Sequence, residues 1–181
     1  MKKIAIAVIA MFLALQGLSA QEPVTFSKVI QTDSVGKDVI YARLKSWIAT
    51  NFVSAKTIID LDDKENGVIV IKYLEPYLFK GMSYQCYTGN LAFTLKISIK
   101  ANRFKVDYTN ITHQSNNIYH NCELGILTND SIHTTKGMSK MADNKVWVDL
   151  KMKAEGYVMA MNKNLEEATR NLKSKSEDDN W

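Results

Sequence analysis

The clearest pattern in the chain lies between Leu91 and Thr112. Leu91, Phe93, Leu95, Ile97 and Ile99 alternate with Ala92, Thr94, Lys96, Ser98 and Lys100. After Ala101-Asn102 the alternation resumes, with Phe104, Val106 and Tyr108 apolar and Arg103, Lys105, Asp107 and Thr109 polar. A period of two marks strands with one buried and one wet face, so the stretch predicts a β-hairpin. A two-residue loop sets Lys100 opposite Arg103, Ile99 opposite Phe104, Ile97 opposite Val106 and Leu95 opposite Tyr108. Lys96 then meets Asp107 and Thr94 meets Thr109, both favourable cross-strand pairs. A slip by one residue puts the two apolar sets on opposite faces, so the loop length must be even. A four-residue loop from Lys100 to Arg103 preserves the same pairing.

The other elements follow from the same kind of reading. Val24 to Gln31 predicts a first strand. Ile40, Leu44, Trp47, Ile48 and Phe52 recur at helical spacing and predict an amphipathic helix from about Gly36 to Asn51, after capping residue types at Asp33-Ser34. Tyr41 and Trp47, beside aliphatic residues in that stripe, read as core packing rather than a ligand-binding pair. Thr57 to Leu61 and Val68 to Leu74 are strands joined by a turn at Asp62 to Gly67, where Asn66-Gly67 is the strongest turn signal. Glu75 to Asn90 reads as a connection, with Pro76, Gly81 and Gly89 in it. His113 to Ala142 is an irregular excursion. Trp147, Leu150, Ala154, Tyr157, Val158, Met161, Leu165 and Leu172 then predict a helix from about Asn144 to Lys173, with Asp143 as N-cap. Its length, about 45 Å, exceeds that of an ordinary strand. Val146, Val148, Leu150 and Met152 also alternate, which leaves a strand over Lys145 to Met152 as the alternative. The order β-α-β-β-β-β-α predicts an α+β fold: an antiparallel sheet of about five strands covered on one face by two helices.

Composition changes this picture at the N-terminus. Lys2-Lys3, the apolar run Ile4 to Leu15 and Leu18-Ser19-Ala20 form the pattern of a secretory signal peptide over residues 1–20. The run is too short to span a bilayer. No cysteine stands directly after it as a lipid-attachment site, and no later segment is apolar enough to cross a membrane. The expected organisation is a leader, one α+β domain over 21–173 with the excursion at 113–142, and a polar tail over 174–181. A periplasmic or extracellular location follows from the leader. The whole chain carries 23 basic and 19 acidic residues. Loss of Lys2 and Lys3 leaves a net charge of +2, which gives no general drive toward nucleic acid or anionic lipid.

The chemistry-bearing residues are few. Cys86 and Cys122 are the two cysteines, and an exported chain favours joining them. The hairpin register places both beyond its open end, and a bridge between them stabilises by about 4 kcal/mol through chain entropy. Two buried thiols are the alternative. Tyr77, Phe79, Tyr84 and Tyr87 make the Glu75 to Asn90 connection unusually aromatic. They form either a cover for the sheet end or one wall of a recognition loop. Asp60, Asp62, Asp63 and Glu65 lack the spacing of a calcium loop. His113, His120 and His133, with Glu123 and Asp130, lack the spacing of a zinc site. No nucleophile motif, carboxylate pair or phosphate loop is recognisable. The expectation is therefore no catalytic residue, no metal and no cofactor.

Ile40-Tyr41-Ala42-Arg43-Leu44 with Trp47-Ile48 and Phe52, the hairpin Ile59-Asp60 to Val68-Ile69, and Phe93 to Ile97 with Lys100 to Lys105 resemble a family of exported domains of unknown function. That family comes from Gram-negative gut bacteria and has a fold like that of the TATA-binding protein. The resemblance covers about Phe26 to Thr112 and implies the fold, but no site residues and no DNA binding. Members usually carry Asp-Gly where this chain has Ala101-Asn102.

The expected function is a non-catalytic cell-envelope protein that contacts another envelope protein, a peptide or a glycan. Two alternatives stand beside it. One is an apolar-ligand binder with a pocket between the long helix and the sheet, lined by Phe93, Met152, Tyr157, Met159 and Met161. The other is a hydrolase using a histidine of the excursion. A site, if present, is expected at the open end of the hairpin rather than at Ala101-Asn102.

Overall fold

The computed structural model describes residues 21–116, 122–133 and 139–170. The expected leader, the Ile118-Tyr119 island, His120 and the polar tail lie outside these residues. Strands β1 (Phe26–Gln31), β2 (Ile59–Asp63), β3 (Val68–Tyr77), β4 (Gly89–Lys100), β5 (Arg103–Ser115) and β6 (Gly125–Ile126) form one antiparallel sheet. Its order is β1-β5-β4-β3-β2, with β6 added beside β5. Helices α1 (Lys37–Asn51) and α3 (Lys140–Thr169) pack on each other and on one face, and a single turn, α2 (Ala55–Ile58), leads into β2.

The hairpin pairs as its alternation predicts. Lys100 faces Arg103, Ile99 faces Phe104, Ile97 faces Val106, Leu95 faces Tyr108, Lys96 faces Asp107 and Thr94 faces Thr109. Asn102 takes the positive φ, 65°, of the two-residue turn. The turn leans on the segment after β1: Asn102 N–H donates to Val35 O, and Thr32 N–H donates to Asn102 O.

Beyond Thr94 the pairing shifts by one residue. Ala92 pairs with Thr112, so Asn110 and Ile111 together oppose Phe93. Asn110 sits at φ 52°, the left-handed conformation that one class of β-bulge uses and that asparagine tolerates. The bulge inverts which β5 positions face the helices. Phe104, Val106 and Tyr108 are buried before it, and Ile111, His113 and Ser115 after it. Without the bulge His113 would point to solvent.

Other boundaries differ from the periodicity. The first strand begins at Phe26, and Val29 is half-exposed on its outer face. Gly36, not a side-chain cap, precedes α1. Thr57 lies in α2, and β2 extends into the acidic run. The connection expected over Glu75 to Asn90 is shorter, because β3 runs on through Pro76 to Tyr77. β2 pairs with β3 only as far as Ile71, so Pro76 lies where one side of β3 has no neighbour and its missing N–H costs no ladder bond. Within the remaining connection a 3₁₀ turn spans Met82–Tyr87.

The long helix starts earlier than predicted. Ser139 is its N-cap, accepting from Ala142 N–H, and Asp143 is instead buried in the first turn. Val146, Trp147, Leu150, Ala154, Val158, Met161 and Leu165 are buried at helical spacing, which excludes the strand alternative over Lys145 to Met152. They meet Ile40, Leu44 and Ile48 of α1 and the inner row of the sheet. Arg43 of α1 donates to the carbonyls of Thr169 and Arg170, two of the acceptors left open at the end of α3.

Candidate functional site

The chemistry-bearing residues gather at the open end of the hairpin, where strand pairing ends. Cys86 and Cys122 form a disulfide there, with Cα atoms 5.7 Å apart. It ties the 3₁₀ turn to the start of the excursion. Next to it Ser115 donates to Cys86 O. Tyr77 and Tyr87 do not line a loop surface. Both are buried, Tyr77 as the last residue of β3 and Tyr87 as the last of the 3₁₀ turn. The Tyr87 hydroxyl donates to buried Asp143, and the Tyr77 hydroxyl donates to Asp149 at 2.9 Å. Two turns of α3 are thereby fixed to the sheet end. Burial and its bond to Asp149 push the Tyr77 hydroxyl far above the usual tyrosine range.

His113 occupies the centre of this end and is fully buried. Leu124 N–H donates to its Nδ1 at 3.1 Å, so Nε2 carries the proton and donates to Tyr87 O at 2.9 Å. Both ring nitrogens are used, and the ring meets the Tyr77 ring edge-on at 5.4 Å between centroids. Burial lowers the His113 pKa, against an opposing pull from Tyr87 O and Glu123, with His133 adding to the depression. His133 lies over Trp147 at 4.6 Å and bonds to Leu124 O. Asp130 binds the Thr128 hydroxyl through its carboxylate, and its carbonyl accepts from Trp147 Nε1 and Lys151 Nζ. A cleft of about 370 Å³ opens beside His133 and Trp147, with Leu124, Ile126 and Ile132 in its apolar lining.

Two expected surfaces change accordingly. Of the four aromatic residues of the expected recognition loop, only Phe79 and Tyr84 are half-buried. Their rings lie 4.7 Å apart, with Lys145 Nζ 5.4 Å from the Tyr84 centroid. The expected methionine pocket does not form. Met152 and Met159 are 59% and 66% exposed, because their positions on α3 are turned away from the buried stripe. Phe93 and Met161 are ordinary core residues. The acidic run is engaged locally: Asp62 binds the Tyr41 hydroxyl and Lys45, Asp63 accepts from Asn66, and Asp60 pairs with Lys72. Hydrogen bonds from Lys45 and then Tyr41 hold the Asp62 pKa below the usual carboxylate range, against a smaller opposing effect of burial.

The hairpin tip is the opposite kind of surface. On the sheet face that no described helix covers, Lys100 lies directly opposite Arg103, and Lys105 lies opposite Ser98. Val29 of β1 pairs with Lys105. These residues, with Phe104, line a shallow cleft of about 320 Å³ in whose wall no described residue is acidic. Lys105 reaches Asp107 at 2.8 Å. The like-charge pair is legible in the alternation itself, since the register that aligns the apolar rows also sets Lys100 against Arg103. It is hidden only by reading the hairpin for its buried face.

The comparisons with known proteins concern the fold. No curated protein matches the chain. A TBP-like protein from Parabacteroides distasonis superposes with a TM-score of 0.57 at 13% identity, over 81% of this chain and 92% of that one. A DUF4468 family protein from Bacteroides ovatus gives 0.55 at 15%, over 84% and 91%. Residues 26–114, β1 through most of β5, match a family described as a domain of unknown function (DUF4468) with TBP-like fold. Over these residues, just under half of its length, the chain is similar to that family and shares its fold.

Proposed function

We propose that this protein is a non-catalytic, exported binding module of the cell envelope, and that it contacts its partner through the uncovered sheet face at the hairpin tip. The partner chemistry is an acidic segment of another envelope protein. The observation that carries this reading is the cross-strand pair Lys100 and Arg103 beside Lys105. Like charges directly opposite each other on a sheet are unfavourable. Carboxylates docked in the cleft relieve that repulsion. Half-exposed Val29 supplies apolar contact at the same place.

Three further features support the reading. The leader pattern at 1–20 supports export. No helix among the described residues is long and apolar enough to cross a membrane. The open end of the hairpin is itself closed off by the disulfide and by hydrogen bonds to α3, and this closed end supports a non-catalytic role, because His113, Tyr77 and Tyr87 use their polar atoms within the fold.

The test is co-purification from native cell envelopes, comparing the natural protein with the combined Lys100→Glu, Arg103→Glu and Lys105→Glu variant. The natural protein retains a partner that is released by salt, and the variant loses it. Equal recovery with both proteins, or a neutral partner insensitive to salt, overturns the proposal.

A further inference from the structure

The outer face of α3 carries an apolar stripe that no described residue of the chain covers. Met141, Val148, Met152 and Met159 are 81%, 48%, 59% and 66% exposed. Their spacings of seven, four and seven keep them on one side of the helix, opposite the buried stripe, over about 27 Å. Exposed apolar surface of this continuity marks an interaction site. Two charged residues lie on the same line, Lys145 and Glu155, both exposed.

We infer that this face pairs with the same face of a second copy of the chain, with the two α3 helices antiparallel about a two-fold axis at Leu150. A two-fold interface must match itself, residue by residue. The register centred on Leu150 does so at every position of the stripe. Met141 meets Met159 of the second copy, Val148 meets Met152, and Lys145 meets Glu155. Each apolar residue finds an apolar partner, and the two charges of the stripe find each other. The spacing is that of an antiparallel helix pair with alternating core positions, and a single complementary charge pair of this kind fixes register. The patch continues onto the sheet end through Phe79 and Tyr84, whose rings lie under Lys145. The aromatic pair thus borders the two-fold interface. The inference is independent of the acidic-partner reading, which uses the sheet face turned away from α3.

The test is sedimentation of the full purified protein across the micromolar range, with the folded state of every variant checked by its thermal midpoint. The natural protein sediments as a dimer, and Met152→Glu as a monomer that still unfolds in one cooperative transition, with a midpoint no longer dependent on protein concentration. Lys145→Glu weakens the dimer by about tenfold. Lys145→Glu with Glu155→Lys restores it. A natural protein that remains monomeric throughout the range overturns the inference, including the case in which the stripe is instead protected by some other envelope component. A dimer indifferent to Met152→Glu places the interface elsewhere and overturns it as well. Failure of the double swap to restore the dimer overturns the register.

Discussion

The two ends of the β4–β5 hairpin are built by opposite means. At the tip a two-residue turn, one hydrogen bond to Val35 O and a like-charge pair face solvent. At the closed end a bulge, a disulfide, two tyrosine–aspartate bonds and a doubly bonded histidine pack against α3. Polar groups at the closed end are withdrawn from water and satisfied internally, so they act on stability. Charges at the tip remain in water, so they act on association more than on stability. Residue type alone does not separate these roles. Histidine, tyrosine and aspartate suggest chemistry at the closed end, yet their geometry is that of a clasp.

The largest expected effect comes from opening the clasp covalently. Cys86→Ser with Cys122→Ser frees a loop with a sequence separation of 36 residues and lowers the unfolding free energy by about 4 kcal/mol. Denaturant titration checks this, and a loss confined to a few tenths would place the stability elsewhere. Tyr87→Phe removes a buried donor from Asp143 and costs about 2 kcal/mol. The matched Tyr77→Phe costs less, because Asp149 is only half-buried.

The pH response sharpens the comparison further. His113 is held neutral by burial, so its folded pKa lies below the ordinary value near 6.5. As pH falls below that value, the unfolded chain binds the proton first and stability declines. The contribution is complete above the ordinary value and is lost progressively on acidification toward the folded pKa. His113→Gln removes this slope, read as thermal midpoint against pH. An unchanged slope would place the acid sensitivity outside His113. The smallest stability effect is expected at the tip. Reversing Lys100, Arg103 and Lys105 together changes the unfolding free energy by under about 0.5 kcal/mol, while abolishing partner retention.

The same contrast explains what was legible in the sequence. Hairpin register, both main helices and the sheet class follow from periodicity, because period-2 and helical spacing are local and each apolar row has a single burial solution. The bulge at Asn110 leaves one mark in the sequence: two polar residues, Thr109 and Asn110, stand in a row before Ile111, so the apolar row changes phase. The shifted pairing and the positive φ of Asn110 show that the inward face switches there. The fate of His113 depends on that switch, which in the sequence rests on the single apolar residue Ile111. Pro76 suggested an early strand end because the lack of a neighbour beyond Ile71 is a topological fact, not a local one. Ser139 lost to Asp143 as the expected N-cap for a similar reason: Asp143 is a good capping residue type, but Tyr87, 56 residues away, claims its side chain. At the candidate site the cationic row was visible and the cysteine pairing was inferable. The tyrosine–aspartate clasp was not, since each pair joins segments far apart in the chain.

The division of labour between the two ends is tested most directly by photo-cross-linking in intact cells from two positions on the uncovered sheet face. One is Ser98 beside the tip cleft, and the other is Gln114 at the closed end. The account predicts a discrete adduct to an acidic segment of another envelope protein from Ser98, and none from Gln114. An adduct from Gln114 with none from Ser98 would contradict it.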